Sequence, residues 1–212
     1  MRAVVIILGL VVLFFSVILH EVAHGLVAER HGDPTARIMG RITLNPLSHV
    51  DPIGTVFLPG LLIILNLFGS NVPIFGWAKP VPVNPANLNN PKKDMILVAL
   101  AGPVTNIIIA FLLAFIFRFF VLPGSLAGIV LFYGTTINLF LAFFNLIPIP
   151  PLDGSRILSG FLPEHLSFHL AQIEPFGFII LIFLLAGGVL GHLFSLLVKL
   201  SALLTGIPFF FW

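Results

Sequence analysis

Charged residues are too rare in this chain to cover the surface of a water-soluble domain. Only 8% of its 212 residues are Asp, Glu, Lys or Arg, whereas 58% are hydrophobic; soluble domains usually carry about 25% charged residues. Several apolar runs approach or exceed the roughly 20 residues that a helix needs to cross about 30 Å of hydrocarbon. The sequence therefore predicts an all-α polytopic membrane protein that contacts the lipid bilayer over much of its surface.

The apolar runs predict about four transmembrane helices and one shorter segment. The long runs lie at about 3–28, 95–121, 126–147 and 176–200. The run at 53–68 is shorter and is interrupted by Pro59 and Gly60, so we expect it to enter the membrane and return. Alternating residues at 36–44 predict small hairpins on the cytoplasmic side. We expect one intramembrane domain over 1–212, with its core at about 1–160 and a C-terminal helix at about 176–200.

Composition argues against several classes of function. The net charge is only +2, and the 10 Lys and Arg residues form no basic run, so a nucleic-acid partner is not expected. The chain has no Cys, which excludes disulfides, cysteine-ligated zinc and thiol catalysis.

One motif in the first apolar run points to metal chemistry. The sequence His20-Glu21-Val22-Ala23-His24 places two imidazoles at positions i and i+4, on one face of a helix, where both can reach one zinc ion. Glu21 then lies beside the metal, where it can take a proton from a water that zinc acidifies. Ionisable groups inside a membrane helix are costly and usually functional. Packing of these side chains as a polar contact between helices is the structural alternative.

A catalytic zinc ion needs a third protein ligand and an open fourth position. The residues that could supply the ligand are His31, His49, Asp51, Asp153, His165, His169 and His192. Asp51 begins the second apolar run and is plausible. Asp153 follows Pro148, Pro150 and Pro151, which prevent a helix and give the chain a rigid, extended path.

At this point the sequence resembles the site-2 protease family of intramembrane zinc metalloproteases. The resemblance rests on the motif at 20–24, on Asn145-Leu-Ile-Pro-Ile-Pro-Pro-Leu-Asp153-Gly154, and on Gly102-Pro103-Val-Thr-Asn106. It implies that His20, His24 and Asp153 bind one Zn²⁺ per chain and that Glu21 activates water. The implied substrates are transmembrane or membrane-anchored peptides. PDZ and nucleotide-sensing domains, which larger relatives carry, have no counterpart in this sequence.

Three further polar residues are candidates for contact with substrate or with the developing oxyanion. The resemblance implies this role for Asn145, which could otherwise cap the proline-rich turn. Asn106 could act near the site or tie helices together. His49 could stabilise the transition state or serve only in its turn.

The metal site also constrains topology, because residues 20–24 and Asp153 must lie at the same depth. Arginines at 30, 37 and 41 follow the motif, and the positive-inside rule puts this end in the cytoplasm. If 53–68 spanned the membrane as well as the next two runs, Asp153 would emerge on the wrong side. We therefore expect a multi-pass protein of the cell membrane, with a re-entrant 53–68 segment and an active site nearer the cytoplasm.

Two other functions remain as alternatives at this stage. A membrane protein with a structural zinc and no proteolytic activity would carry the same ligands, but would not need Glu21. A metal or proton transporter would need ionisable residues along a path across the bilayer. The run at 95–121 has Arg118 as its only ionisable residue, and the run at 176–200 has only His192 and Lys199.

Overall fold

A computed structural model describes residues 2–69 and 76–207 of the chain. Over these two ranges the chain forms eight α-helices and no strand. The helices are α1 (Arg2–Arg30), α2 (Thr35–Ile38), α3 (Leu58–Leu67), α4 (Pro91–Phe120), α5 (Leu126–Asn145), α6 (Asp153–Phe161), α7 (Glu164–Ala186) and α8 (Val189–Thr205). Short 3-10 or π-helical turns lie at Pro46–His49, Pro52–Phe57 and Pro85–Asn87. The all-α prediction is confirmed.

Three helices are long and apolar enough to cross a membrane: Ile7–Arg30 within α1, the whole of α4, and the whole of α5. Helix α7 is bent by 66° and adds a fourth if its two parts form one span. Large apolar side chains face outward, as at Leu10 (59% exposed) and Phe119 (63% exposed), and such a surface is suited to lipid. These features confirm a polytopic membrane protein with about four spans.

The membrane core is built from antiparallel neighbours. Two clusters of buried residues mark successive levels across α4, α5 and α8: Ala110, Leu139 and Leu197 at one level, and Phe117, Phe132 and Ala202 at the next. Residue numbers rise in α4 and α8 while they fall in α5. Helices α4 and α8 therefore run in one direction and α5 runs in the other, with α1 packed against both α4 and α5.

The chain between α1 and α4 leaves and returns at the same end of the bundle. His31, just after α1, pairs with Asp94 in the first turn of α4 at 3.3 Å. Within this connection, the Trp77 N–H donates to Gly54 O at 3.1 Å, so the chain also comes back to the start of the α3 segment. Both ends of this connection therefore lie at the same end of the bundle, and a re-entrant 53–68 segment stays a prediction.

The predicted hairpins at 36–44 are wrong for the described residues, because this stretch holds α2 and a turn. Asp33 Oδ1 accepts the backbone N–H of Thr35 at 3.1 Å, which starts a turn of helix. The Met39 N–H then donates to Thr35 O at 3.0 Å. Gly40, at φ 64°, reverses the chain after that turn. The side chain of Asp33 thus outweighs the weak alternating pattern.

The single C-terminal helix predicted at about 176–200 is also wrong. Helix α7 begins earlier, at Glu164, and ends at Ala186. Gly188 adopts φ 75° before α8 begins at Val189, a left-handed conformation that glycine tolerates and that stops a helix. Hydropathy does not register this break, because apolar residues continue on both sides.

Candidate metal centre

Two histidines and one carboxylate meet where the C-terminal half of α1 lies against α4 and the start of α6. His20 Nε2 lies 3.0 Å from His24 Nε2, and Asp153 Oδ2 lies 3.1 Å from the first and 3.3 Å from the second. All three residues are buried, and together they form a group that could hold a metal ion. Two ligands at 2.0–2.1 Å from a tetrahedral zinc lie about 3.3 Å apart, so the observed triangle has the size that this ion needs.

A tight turn presents Asp153 to the two histidines. The Leu152 N–H donates to Ile149 O, and Ser155 Oγ donates to Leu152 O at 2.7 Å, so the turn runs directly into the first residue of α6. Gly177 of α7 lies so close to Pro150 O that a side chain at this glycine would overlap it. The backbone around Asp153 is therefore held from both sides.

Gly102 provides the space between the histidines and α4. A Cβ atom placed on this glycine would lie 2.5 Å from His20 Nε2 and 2.5 Å from His24 Nε2. A methyl group there would overlap the metal-facing nitrogens of both histidines. In the sequence Gly102 is part of one of the three motifs, and the structure places it directly against both histidines.

A backbone carbonyl fixes the tautomer of His24. Its Nδ1 lies 2.6 Å from Val98 O. A carbonyl oxygen can only accept, so Nδ1 carries a proton and Nε2 is the nitrogen that faces the group. Burial alone would raise the pKa of Asp153, but hydrogen bonds to His20 and His24 outweigh it and hold this pKa below its ordinary range. The carboxylate is therefore ionised and suits a cation.

Glu21 contacts an irregular stretch of chain that we call the 76–83 segment. The Val81 N–H donates to Glu21 Oε2 at 2.7 Å. Two residues earlier, the Lys79 N–H donates to His49 O at 2.9 Å. Lys79 and Val81 therefore each donate a backbone hydrogen bond to the rest of the protein, and the acceptor for Val81 is the Glu21 carboxylate.

A buried arginine also binds the backbone of the 76–83 segment. Arg41 is only 7% exposed, and its Nη2 donates to Lys79 O at 2.7 Å and to Pro80 O at 3.2 Å. Charge-assisted bonds of this kind are stronger than neutral ones. Sequence analysis missed this role, because the partners of Arg41 are backbone carbonyls.

The three substrate candidates occupy different surroundings. Asn145 ends α5, and its Nδ2 donates to Leu141 O at 2.9 Å. His49 is fully buried, and its Nε2 lies 2.9 Å from Thr43 O. Asn106 is fully buried in α4, one helical turn after Gly102.

The other residues considered as a third ligand lie outside the group. Asp51 caps the π-helical turn through the N–H groups of Ile53 and Gly54, and His31 pairs with Asp94. His192 Nδ1 lies 2.9 Å from Gly188 O in its own helix. In the described ranges, only His20, His24 and Asp153 form a group of potential metal ligands.

A cavity of about 700 Å³ adjoins the centre. Its walls are the 76–83 segment on one side and α6 with α7 on the other, and they include Val81 and Ser155. Val81 donates to Glu21, and Ser155 follows Asp153 by two residues, so the cavity is lined by neighbours of the centre.

Comparison with known proteins gives a consistent result. The chain matches the model of peptidase family M50 over residues 8–126 and 123–187. It is 38% identical over 182 residues to YwhC of Bacillus subtilis, covering 82% of this chain and 78% of that protein. It is 34% identical over 187 residues to Rip2 of Mycolicibacterium smegmatis, covering 86% and 68%. Both relatives bear the name "putative zinc metalloprotease". No solved structure matches the chain with significance.

Proposed function

The chain belongs to peptidase family M50 and is an intramembrane zinc metalloprotease; we propose that His20, His24 and Asp153 hold one zinc ion and that Glu21 is the catalytic base. The observation that carries this assignment is the triangle of ligand atoms with sides of 3.0, 3.1 and 3.3 Å. It matches the edge of a zinc tetrahedron and leaves the fourth position for water.

The chemistry follows from the position of Glu21. When bound, zinc supplies Lewis acidity that lowers the pKa of water at the site from about 15.7 to about 7. Glu21 Oε2 is occupied by the Val81 N–H, which orients the carboxylate and leaves Oε1 to take a proton from the attacking water. The same carboxylic acid can then return the proton to the leaving amine. Asn145 has a second amide N–H beyond the one given to Leu141, and we assign that hydrogen to the developing oxyanion.

The substrate class follows from where the centre lies. The cavity beside the 76–83 segment is lined by sequence neighbours of the centre, and its lining also carries both basic and acidic side chains: Lys92, Arg156, Glu164 and Glu174. A transmembrane or membrane-anchored peptide that unwinds at the membrane surface would bring its scissile bond to this place. The arginines near this end of the bundle support a cytoplasmic orientation in the cell membrane.

The transporter alternative lacks the path that it requires. Helix α4 has no charged side chain between Asp94 and Arg118, and α5 has none from Leu126 to Asn145. The ionisable group of the centre therefore stands at one end of an uncharged α4–α5 interior. A proteolytic site needs only access from one side.

Three preparations test the proposal: wild type, Glu21→Gln and Asp153→Ala. Metal content and cleavage of a membrane-peptide reporter are measured on each purified protein. We expect Glu21→Gln to keep about one zinc per chain and lose cleavage, because the glutamine leaves all three ligands intact. We expect Asp153→Ala to lose both. An Asp153→Ala protein that retains zinc and activity would contradict the ligand assignment, and an active Glu21→Gln protein would contradict the role of the base.

A further inference from the structure

A second cavity, which we call the far cavity, lies at the end of the bundle away from the metal centre. Its volume is about 660 Å³, and it is bounded by the last turn of α4, the connection to α5, the first two turns of α5 and the end of α8. Arg118 on its wall follows Gly102 by 16 residues in α4, which is about 24 Å along the helix. The far cavity is therefore separate from the zinc site and from the cavity beside the 76–83 segment.

The far cavity combines apolar walls with two polar side chains that keep free donors. Aromatic, aliphatic, proline and glycine residues make up most of its lining. Thr205 uses its hydroxyl within α8, where it donates to Ser201 O at 2.7 Å. Arg118 and Tyr133 also line the cavity, and the side chain of neither makes a hydrogen bond or ion pair with any part of the chain that the structure describes. A fitting ligand is therefore mostly apolar and carries hydrogen-bond acceptors.

The helices around Arg118 contain no acidic residue that could pair with it. The chain has no Asp or Glu at 95–152 or at 175–212, and these ranges hold all of α5, all of α8 and α4 beyond Asp94. The guanidinium lies against the C-terminal end of α8, since a Cβ atom on Gly206 would be 3.7 Å from Arg118 Cζ. That helix end offers only the partial negative charge of its dipole. A full countercharge must therefore come from outside these helices.

The surroundings of Arg118 favour a lipid over a soluble anion as the source of this charge. Phe119, Phe120 and Leu122 beside it are 63%, 74% and 79% exposed, and such an apolar surface faces lipid in a membrane protein. A charged side chain at this level is costly unless its charge is paired. Tyrosine, as at Tyr133, is enriched where the hydrocarbon meets the headgroups. The far cavity therefore has the features of a site at the membrane interface.

We propose that the far cavity binds one anionic phospholipid, with an acyl chain along its apolar wall and the phosphate on Arg118 and Tyr133. Arginine binds phosphate oxygens through two parallel N–H groups, and the tyrosine hydroxyl adds a third donor. A volume of about 300–1,000 Å³ is usual for ligand sites, and basic pockets between membrane helices bind anionic headgroups. A zwitterionic headgroup would bring a cation of its own, for which these helices offer no acidic partner.

Lipid titration of the purified 212-residue protein in a neutral detergent tests the proposal. The probes are dioleoyl phosphatidylglycerol, dioleoyl phosphatidylcholine and inorganic phosphate. The readouts are the unfolding temperature and the number of bound lipids by native mass spectrometry. We expect one phosphatidylglycerol to bind and to raise the unfolding temperature, because a ligand of the folded state stabilises it. Equal binding of phosphatidylcholine, or an equal effect of inorganic phosphate, would overturn the proposal.

Substitution of Arg118 separates a specific site from general attraction to positive charge. We expect Arg118→Gln to weaken phosphatidylglycerol binding by about 10- to 100-fold, as loss of charge-assisted hydrogen bonds does, with unchanged zinc content. Lys199→Gln is the matched control, because it removes an exposed positive charge from α8 outside the cavity lining. Its lipid affinity should stay within about twofold of wild type, since exposed charges are screened.

Two results would contradict the proposed occupant. Equal losses of affinity in Arg118→Gln and Lys199→Gln would show that lipid binding depends on diffuse charge and not on the far cavity. A protein lacking residues 208–212 that binds phosphatidylglycerol, when the 212-residue protein does not, would show that the chain's own last residues take the place of the lipid.

Discussion

Replacing Gly102 with alanine gives the sharpest test of how the metal centre is built. The new Cβ would lie 2.5 Å from both histidine Nε2 atoms, about 0.9 Å closer than the 3.4 Å at which ordinary contact begins. Ligand positions in a zinc site tolerate about 0.2 Å. The rings or α4 must therefore move several times further than the site allows.

From that displacement we expect Gly102→Ala to weaken zinc binding by at least about 100-fold, or about 2.7 kcal/mol. Overpacking itself costs about 1–3 kcal/mol of folding stability, so the protein should still fold if its stability is ordinary. The assay is a chelator competition titration in detergent, with thermal unfolding of the same metal-free samples to confirm that the variant is folded.

The matched control is Gly9→Ala in α1, because no atom lies within 4 Å of the added Cβ. Its zinc affinity should equal that of wild type, and its helix should gain up to about 1 kcal/mol in propensity. If Gly102→Ala also binds zinc within threefold of wild type, then the close approach of α4 does not shape the centre and the reasoning fails.

Two further predictions concern the connection between α1 and α4, at Arg41 and at Asp33. Arg41→Met removes charge-assisted bonds worth about 1.5–3 kcal/mol, so amide exchange at Val81 should accelerate by about 10- to 100-fold while zinc content is unchanged; unaltered exchange would contradict the role of Arg41. Burial alone would raise the pKa of Asp33, but hydrogen bonds from Thr35, Asn87 and Asn84 lower this pKa on balance. The ionised Asp33 therefore contributes its full stability to the folded protein above the ordinary pKa of about 3.9. That contribution is lost as pH falls through the lower pKa of the folded state. Unfolding temperatures should therefore fall in this acidic range for wild type, and less steeply for Asp33→Asn, and parallel curves would contradict the assignment.

The part of the centre that sequence could predict is the part set by helical periodicity. His20, Glu21 and His24 follow from a spacing of four residues, which puts two rings on one face wherever a helix forms. Asp153 required more than periodicity: the prolines before it indicated a rigid path, and the resemblance to a family selected it among seven candidates.

Contacts between residues far apart along the chain had no comparable signal in the sequence. The Val81 N–H that meets Glu21 is 60 residues away along the chain, and any residue but proline has such a group. The bond between Asn138 and Ser16 joins side chains 122 residues apart, with nothing in either local sequence to relate them.

The two errors of the sequence analysis share a physical cause. Patterns of hydropathy describe which face is buried, but single residues with special backbone preferences decide where an element stops. Asp33 starts a helical turn where alternation suggested a strand, and Gly188 divides an apolar run that looked continuous. Both residues can be read in the sequence, but the hydropathy pattern of their neighbours indicated a strand at Asp33 and a continuous helix at Gly188.

The contact between Gly177 and Pro150 makes the bend of α7 a mechanical coupling. Because glycine meets a backbone carbonyl there, no flexible side chain can absorb displacement between the helix and the turn that presents Asp153. A shift of α7 at Gly177 would therefore displace the turn that presents Asp153, while His20 and His24 stay in α1. The position of one proposed ligand thus depends on where α7 lies.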